Sequence, residues 1–362
     1  PDGYTEEQRG VPGGFIGDPD VMDTWATSSV SPEIAGAWED DPDLFARVFP
    51  MDLRPQAHDI IRTWLFYTVL KSELGHGTLP WRNAAISGWV LDPDRKKMSK
   101  SKGNVITPMP VLEQHGADAV RYWAGSARLG IDTAFEEAQM KVGRKLAIKI
   151  LNASRFVLSF DVPDGEIRDA LDLAMLRRLA DVVREATDAF EAYDHARALD
   201  VVERFFWGFT DDYLELVKNR VYGAAGPEAA SSAATALRTA LTVLLRLFAP
   251  FLPYVTEEVW SWWREGSVHL QAWPDAEELP LDGDPLVYAV AADVLTAVRR
   301  EKALAKRSLR APVRRVEVRG DEARLAALAP GFADLVQAGA IAELVTAPGA
   351  DDVLVELAPD EG

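Results

Sequence analysis

The stretch Ser87-Gly88-Trp89-Val90-Leu91-Asp92-Pro93-Asp94-Arg95-Lys96-Lys97-Met98-Ser99-Lys100-Ser101-Lys102-Gly103-Asn104-Val105 decides how the rest of the chain is read. Its first part completes an apolar run over 83–91, which predicts a buried strand ended by the turn signal Asp92-Pro93-Asp94. A basic loop follows. Lys97 and Lys100, with two residues between them, among hydroxyls and close to a glycine, suit a mobile loop that grips polyphosphate. Ammonium groups act there as point charges on phosphate oxygens. Their effect grows as charge develops on a departing group. A plain solvated lysine loop is the alternative, and the surrounding sequence weighs between the two.

Upstream, residues 1–50 are rich in Pro, Gly and Asp and read as loop with short elements, whereas 55–75 carry apolar residues at helical spacing up to a stop at Gly75. Downstream, 109–116 and 117–125 read as short helices. Four long periodic segments follow, 138–160, 171–193, 194–222 and 228–248, punctuated by Pro163, Gly165, Gly223, Gly226, Pro227, Pro250 and Pro253. Such segments joined by short loops predict an antiparallel bundle. After a Pro/Asp/Glu-rich connection at 264–285 the pattern changes. It reads as a helix at 286–307, a strand at 313–318, a helix at 322–328, a further short helix, and a strand at 353–357. The expected domains are therefore 1–136, 137–275 and 286–362.

Composition narrows the options. The chain has no cysteine, which excludes disulfides and cysteine-based zinc sites. No apolar run reaches the roughly 18 residues that a membrane span needs. There is no basic-then-apolar N-terminal signal, and a start at Pro1 rather than Met is expected of a fragment or a processed product. The formal net charge of −18 argues against nucleic acid as a whole-chain property. Binding follows local fields, however, and three stretches are basic: 95–102, 141–155 and 299–319.

The Lys97-Met98-Ser99-Lys100-Ser101 string resembles the second signature of the class I aminoacyl-tRNA synthetases. Several other strings resemble the valine-specific members of that family. They are Asp20-Val21-Met22-Asp23-Thr24-Trp25-Ala26-Thr27-Ser28-Ser29, with Ala26 and Thr27 departing from the family's Phe and Ser, and His58-Asp59-Ile60-Ile61-Arg62-Thr63-Trp64. Asp118-Ala119-Val120-Arg121-Tyr122-Trp123, the turn at 132–135, the aromatic run at 205–215 (Thr210 standing where the family has cysteine) and the run at 248–260 also fit, as structural strings. The resemblance implies an α/β fold, namely the second half of a Rossmann-like catalytic domain, then an all-α anticodon-binding bundle and a small α/β appendage. It implies valine–tRNA ligation through valyl-adenylate, with ATP and its Mg²⁺, valine and tRNA(Val) as partners. No protein-bound zinc, a monomer and the cytoplasm are expected.

By the same resemblance Lys97 and Lys100 are catalytic, and Lys97, Met98, Ser99, Lys100 and His58 hold ATP. Trp25, Ile60 and Trp64 wall the amino-acid pocket, and Asp59 faces the substrate ammonium. One carboxylate for one ammonium in an otherwise apolar cavity is physically sound, although Trp64 and Ile60 taken alone read as core. On the first bundle helix Arg144, Lys145, Lys149, Asn152, Arg155 and Phe156 share one side. Cations for phosphate with an aromatic for an unpaired base make an anticodon-loop surface; a solvated face with Phe156 in the core is the alternative. No sustained heptad follows 307, so the family's coiled-coil arm is not expected there. The family's first signature, His-x-Gly-His, is not found in the sequence, and neither is an editing domain. The isolated polypeptide is accordingly expected not to activate valine at a useful rate. A non-catalytic tRNA-binding module and an isoleucine or leucine enzyme are the competing readings.

Overall fold

The computed structural model describes residues 3–20 and 23–359; Val21 and Met22, inside the string at 20–29, lie outside the described residues. Two compact units emerge. The first runs to Lys97 and takes in Leu129–Ala134, and the second holds Met98–Arg128 and the chain from Phe135 onward. No described helix is long and apolar enough to cross a membrane.

In the first unit, short helices α1 (Thr24–Ser28), α2 (Ser31–Ala35) and α3 (Pro42–Val48) precede strand β1 (Met51–Ala57). β1 pairs in parallel with β2 (Trp81–Ser87), Met51 opposite Trp81 and Ala57 opposite Ser87. The helix expected over 55–75 therefore starts later. A 3₁₀ turn takes His58–Ile60, a π-helical turn Ile61–Leu65, and α4 only Phe66–His76. Pro55 disfavours a helical residue before it, and the parallel register holds 55–57 extended. The strand expected over 83–91 is likewise divided. β2 ends at Ser87, and β3 (Val90–Leu91) pairs with β4 (Thr133–Ala134). Residues Arg82, Asn83 and Ala84 are exposed rather than buried.

The second unit begins with α5 (Pro108–His115) and α6 (Ala117–Gly125). Its bundle comprises α7 (Glu137–Leu158), α8 (Ala170–Glu191), α9 (His195–Gly208), α10 (Leu214–Val221) and α11 (Pro227–Phe248), and α12 (Pro253–Ser261) follows. A π-helical turn at Phe209–Tyr213 interrupts the helix expected over 194–222. Leu146, Leu179, Phe206 and Phe248 are buried in the shared core. The structural strings explain themselves here. The Asp118 carboxylate accepts from the backbone N–H groups of Tyr254 (3.1 Å) and Val255 (2.8 Å), satisfying first-turn donors of α12. Arg121 donates to the Pro250 carbonyl at 2.8 Å. Thr256, in the opening turn of α12, donates from its hydroxyl back to the Leu252 carbonyl at 2.9 Å.

The appendage carries α13 (Pro285–Leu304), β5 (Val313–Gly320), α14 (Glu322–Leu328), α15 (Phe332–Gly339), β6 (Ile341–Pro348) and β7 (Asp352–Leu357). Its sheet has the order β6-β5-β7, parallel on one side of β5 and antiparallel on the other. β6 is absent from the sequence reading. The residue that ends α15 is Ala340 in the left-handed region (φ 52°), where a glycine would have announced the break.

Arg220 of α10 binds the appendage to the bundle. Its guanidinium donates to both oxygens of Asp172 (2.9 and 2.6 Å) and to Asp334 of α15 (3.0 Å), and Asp169 lies 3.3 Å away. Tyr213 and Ser232 also donate to Asp172, each at 2.7 Å. Burial pushes Asp334 up to about 6, against the opposing pull of Arg220. A carboxyl raised in the folded chain keeps its proton longer there than in the unfolded chain. Its contribution to stability is full below about pH 4 and is lost as the pH climbs through about 6. The urea midpoint followed by helical circular dichroism is therefore expected to fall between pH 4 and 7. Asp334→Asn is expected to flatten that fall; an unchanged slope would contradict the assignment.

Candidate active site and nucleic-acid interface

In the first unit four predicted or neighbouring side chains converge. The Lys97 ammonium lies 3.6 Å from Asp59 Oδ2 and 4.0 Å from the centroid of the Trp89 ring. The His58 ring packs on Trp89 at 4.6 Å, and its Nδ1 is 3.3 Å from the Ser87 carbonyl. Backbone geometry explains the gathering. Gly88 passes so close to the second crossing of the chain that a Cβ there would sit 2.4 Å from the Ile131 carbonyl. That approach lets Asp132 accept from the Trp89 N–H at 2.8 Å, and β3 pairs with β4 just beyond. The buried Asp92 carboxylate accepts from the Lys96 N–H at 2.7 Å, turning the chain back so that Lys97 bridges to Leu91. Asp59 and Lys97 are both part-exposed, so the ion pair itself contributes little to stability.

Of the expected pocket residues, Trp64 is 5% exposed and stacks on Trp81 at 5.4 Å. The Arg54 guanidinium covers it at 3.9 Å, and burial lowers the Arg54 pKa. Trp64 Nε1 donates to the Ser28 carbonyl at 2.8 Å and Lys71 donates to the Ala26 carbonyl, so α1, which carries the half-buried Trp25, is held at its C-terminal end. Ile60 is half-buried beside Asp59 in the 3₁₀ turn. Trp64 thus joins α1 to the π-helical turn as a packed residue.

The signature string continues into the second unit from Met98. Met98 Sδ accepts from the Ile106 N–H at 3.5 Å, and Asn104 Oδ1 accepts from the Ser99 N–H at 3.0 Å. Ser99 and Ser101 hydroxyls are 3.2 Å apart. Lys100–Lys102 form a 3₁₀ turn that ends at Gly103, whose φ of 68° favours glycine. Lys100 and Lys102 are exposed.

On α7, Arg144, Lys145, Asn152 and Arg155 are exposed, opposite the buried Leu146, Ile150 and Val157. Arg144 donates to the Gln114 carbonyl at 3.2 Å, and Arg155 lies over the Trp262 ring at 5.6 Å. Lys149 is paired with Asp211 at 2.7 Å. Phe156 is half-buried, edge-on to Phe160, with Lys218 over its ring at 5.6 Å.

Two family models match the chain: "tRNA synthetases class I (I, L, M and V)" over residues 9–136 and "Anticodon-binding domain of tRNA ligase" over 172–318. A valine–tRNA ligase of Thermobifida fusca is 60% identical over 372 residues, covering 100% of this chain and 42% of that protein. One from Salinispora tropica is 56% identical, covering 96% and 43%. The chain belongs to the class I tRNA synthetases. This synthetase chain spans about 42% of the length of its curated relative. Among solved structures, an Agrobacterium radiobacter K84 LeuRS–tRNA–LeuAMS ternary complex superposes with a TM-score of 0.58 at 23% identity, over 74% of this chain and 34% of that one. Mycobacterium tuberculosis methionyl-tRNA synthetase with methionyl-adenylate gives 0.54 at 22%, over 66% and 49%. At those identities the likeness shows the synthetase fold alone.

Sequence reading passed over Trp89, Arg54, Asp132 and Asn104 as site-forming residues. Gly88 within an apolar run was the available signal, since a glycine in a strand marks a close backbone approach. Gly88→Ala is expected to force β3 away from 131–132 and to raise amide hydrogen exchange in peptides 86–91 and 129–134 at least tenfold, in line with an overpacking cost of about 1–3 kcal/mol. Unaltered exchange would show that this approach does not organise the site.

Proposed function

We propose that this chain is part of a valine–tRNA ligase, joining valine to tRNA(Val) through valyl-adenylate with release of pyrophosphate. The gathering of His58, Asp59, Trp89 and Lys97 carries this reading, because it sets a carboxylate, a cation and an aromatic wall side by side. Asp59 takes the ammonium of valine, for which the Lys97 ammonium now substitutes, and Trp25, Ile60 and Trp64 limit the side-chain pocket. ATP arrives with Mg²⁺ bound through its phosphates. Lys97 and Lys100 offset charge on the phosphates in the transition state, with Met98, Ser99 and His58 helping to hold the nucleotide. The α7 residues Arg144, Lys145, Lys149, Asn152, Arg155 and Phe156 meet the anticodon loop. Residues 1–136 serve as catalytic half, 137–275 as anticodon-binding domain and 286–362 as appendage.

The test is filter binding of the 362-residue chain to tRNA(Val), tRNA(Ile) and an anticodon-mutated tRNA(Val) across a salt series. Binding is expected to be tightest for tRNA(Val) and to weaken on anticodon mutation. Equal, steeply salt-dependent binding to all three would reduce the surface to phosphate contact and contradict the valine-specific reading.

A further inference from the structure

Beyond α7 the second unit presents another cation–aromatic surface, at the end of α12 and along α11. Trp262, 37% exposed, donates from Nε1 to Glu258 at 3.0 Å and lies beneath the Arg155 guanidinium. The next residue, Trp263, lines a cleft of roughly 200 Å³ together with Thr235, Arg238, Thr242, Arg246 and Arg264. Two acids face this cleft, and both are taken. Asp164 pairs with Arg238 at 2.5 Å, and Glu278 pairs with Arg246 at 2.5 Å. The third arginine is left over. Arg264 donates to the Thr242 hydroxyl at 3.3 Å and lies 4.3 Å from the Trp263 ring centroid, with no carboxylate partner among the described residues. Trp263 Nε1 and Arg246 Nε also find no acceptor. Buried donors without acceptors are rare enough to require a reason. A cleft with one unbalanced guanidinium and spare N–H donors matches a phosphate, while the hydroxyls of Thr235 and Thr242 already donate to the Ser231 and Arg238 carbonyls. The exposed indole alongside in sequence matches an unpaired base, since stacking accepts any base and arginine supplies the backbone contact.

We propose that this surface binds unpaired nucleotides of an RNA, with Trp262 stacking a base and Arg264 seating a neighbouring phosphate at the mouth of the cleft. The inference rests on the RNA-binding reading of α7 and extends it, because Arg155 belongs to α7 and its guanidinium covers Trp262. A free phosphate would use the cleft but not the indole, so the two side chains report separately.

The test uses the full chain, a labelled single-stranded 12-nucleotide RNA and fluorescence anisotropy across a salt series. Trp262→Ala is expected to weaken binding roughly tenfold with an unchanged salt slope, and Trp262→Phe to restore most of it. Arg264→Gln is expected to weaken binding and to reduce the salt slope by about 0.7, one phosphate contact on a single strand. Circular dichroism melts matching the parent chain confirm that each variant is folded. If both variants bind as the parent does while Lys145→Glu on α7 weakens binding, the α12 surface is not a contact and only the α7 reading survives. If Lys145→Glu is also without effect, the RNA-binding reading falls with it.

Discussion

The Arg220 guanidinium lies inside the second unit, and three carboxylates close on it: Asp172 from α8, Asp169 at the cap of that helix, and Asp334 from α15. A buried charge is tolerated only when it is paired and hydrogen-bonded. Because the partners come from different segments, satisfying the charge aligns α8, α10 and α15 at once. The direction of each titration follows. Burial raises Asp169 and Asp334, while Arg220, although burial works to lower it, is held protonated by Asp172. The appendage is thereby joined to the bundle through charge as well as through a continuous apolar core that includes Leu171, Ala291, Val294 and Leu335.

The same rule makes the surface of α7 informative. In a chain with a net charge of −18, most arginines of the bundle are matched to acids: Arg177 and Arg184 to Asp181, Arg178 to Glu185, Arg204 to Asp200. Lys141, Arg144, Lys145 and Arg155 have no carboxylate partner among the described residues, and all four are exposed on one helix. An acidic protein that keeps a row of unpaired cations concentrates a positive field where a polyanion can use it.

Much of this was legible in the residues. Lys97 to Ser101, Asp59 and the periodic helices name the chemistry and the bundle, because each is a local pattern. What escaped depends on pairing between distant segments. Strand β1 was hidden because residues 60–70 repeat at helical spacing and only the parallel register with β2 holds 51–57 extended. Strand β6 was hidden because Ala340 stands at a left-handed break that usually carries glycine. Trp89 read as strand interior. Its position against Lys97 and His58 follows from Gly88 meeting Ile131 across more than forty residues of chain. Phe156 sits between the two roles weighed for it, half-buried on Phe160 with a cation over its face.

The central claim is that the cation row of α7 meets the anticodon loop. Photo-crosslinking tests it most directly: tRNA(Val) carrying 4-thiouridine in that loop is irradiated with the chain, and the linked peptides are identified by mass spectrometry. The account predicts linkage within residues 144–156. Linkage confined to the β5–β7 sheet, with none on α7, would contradict it.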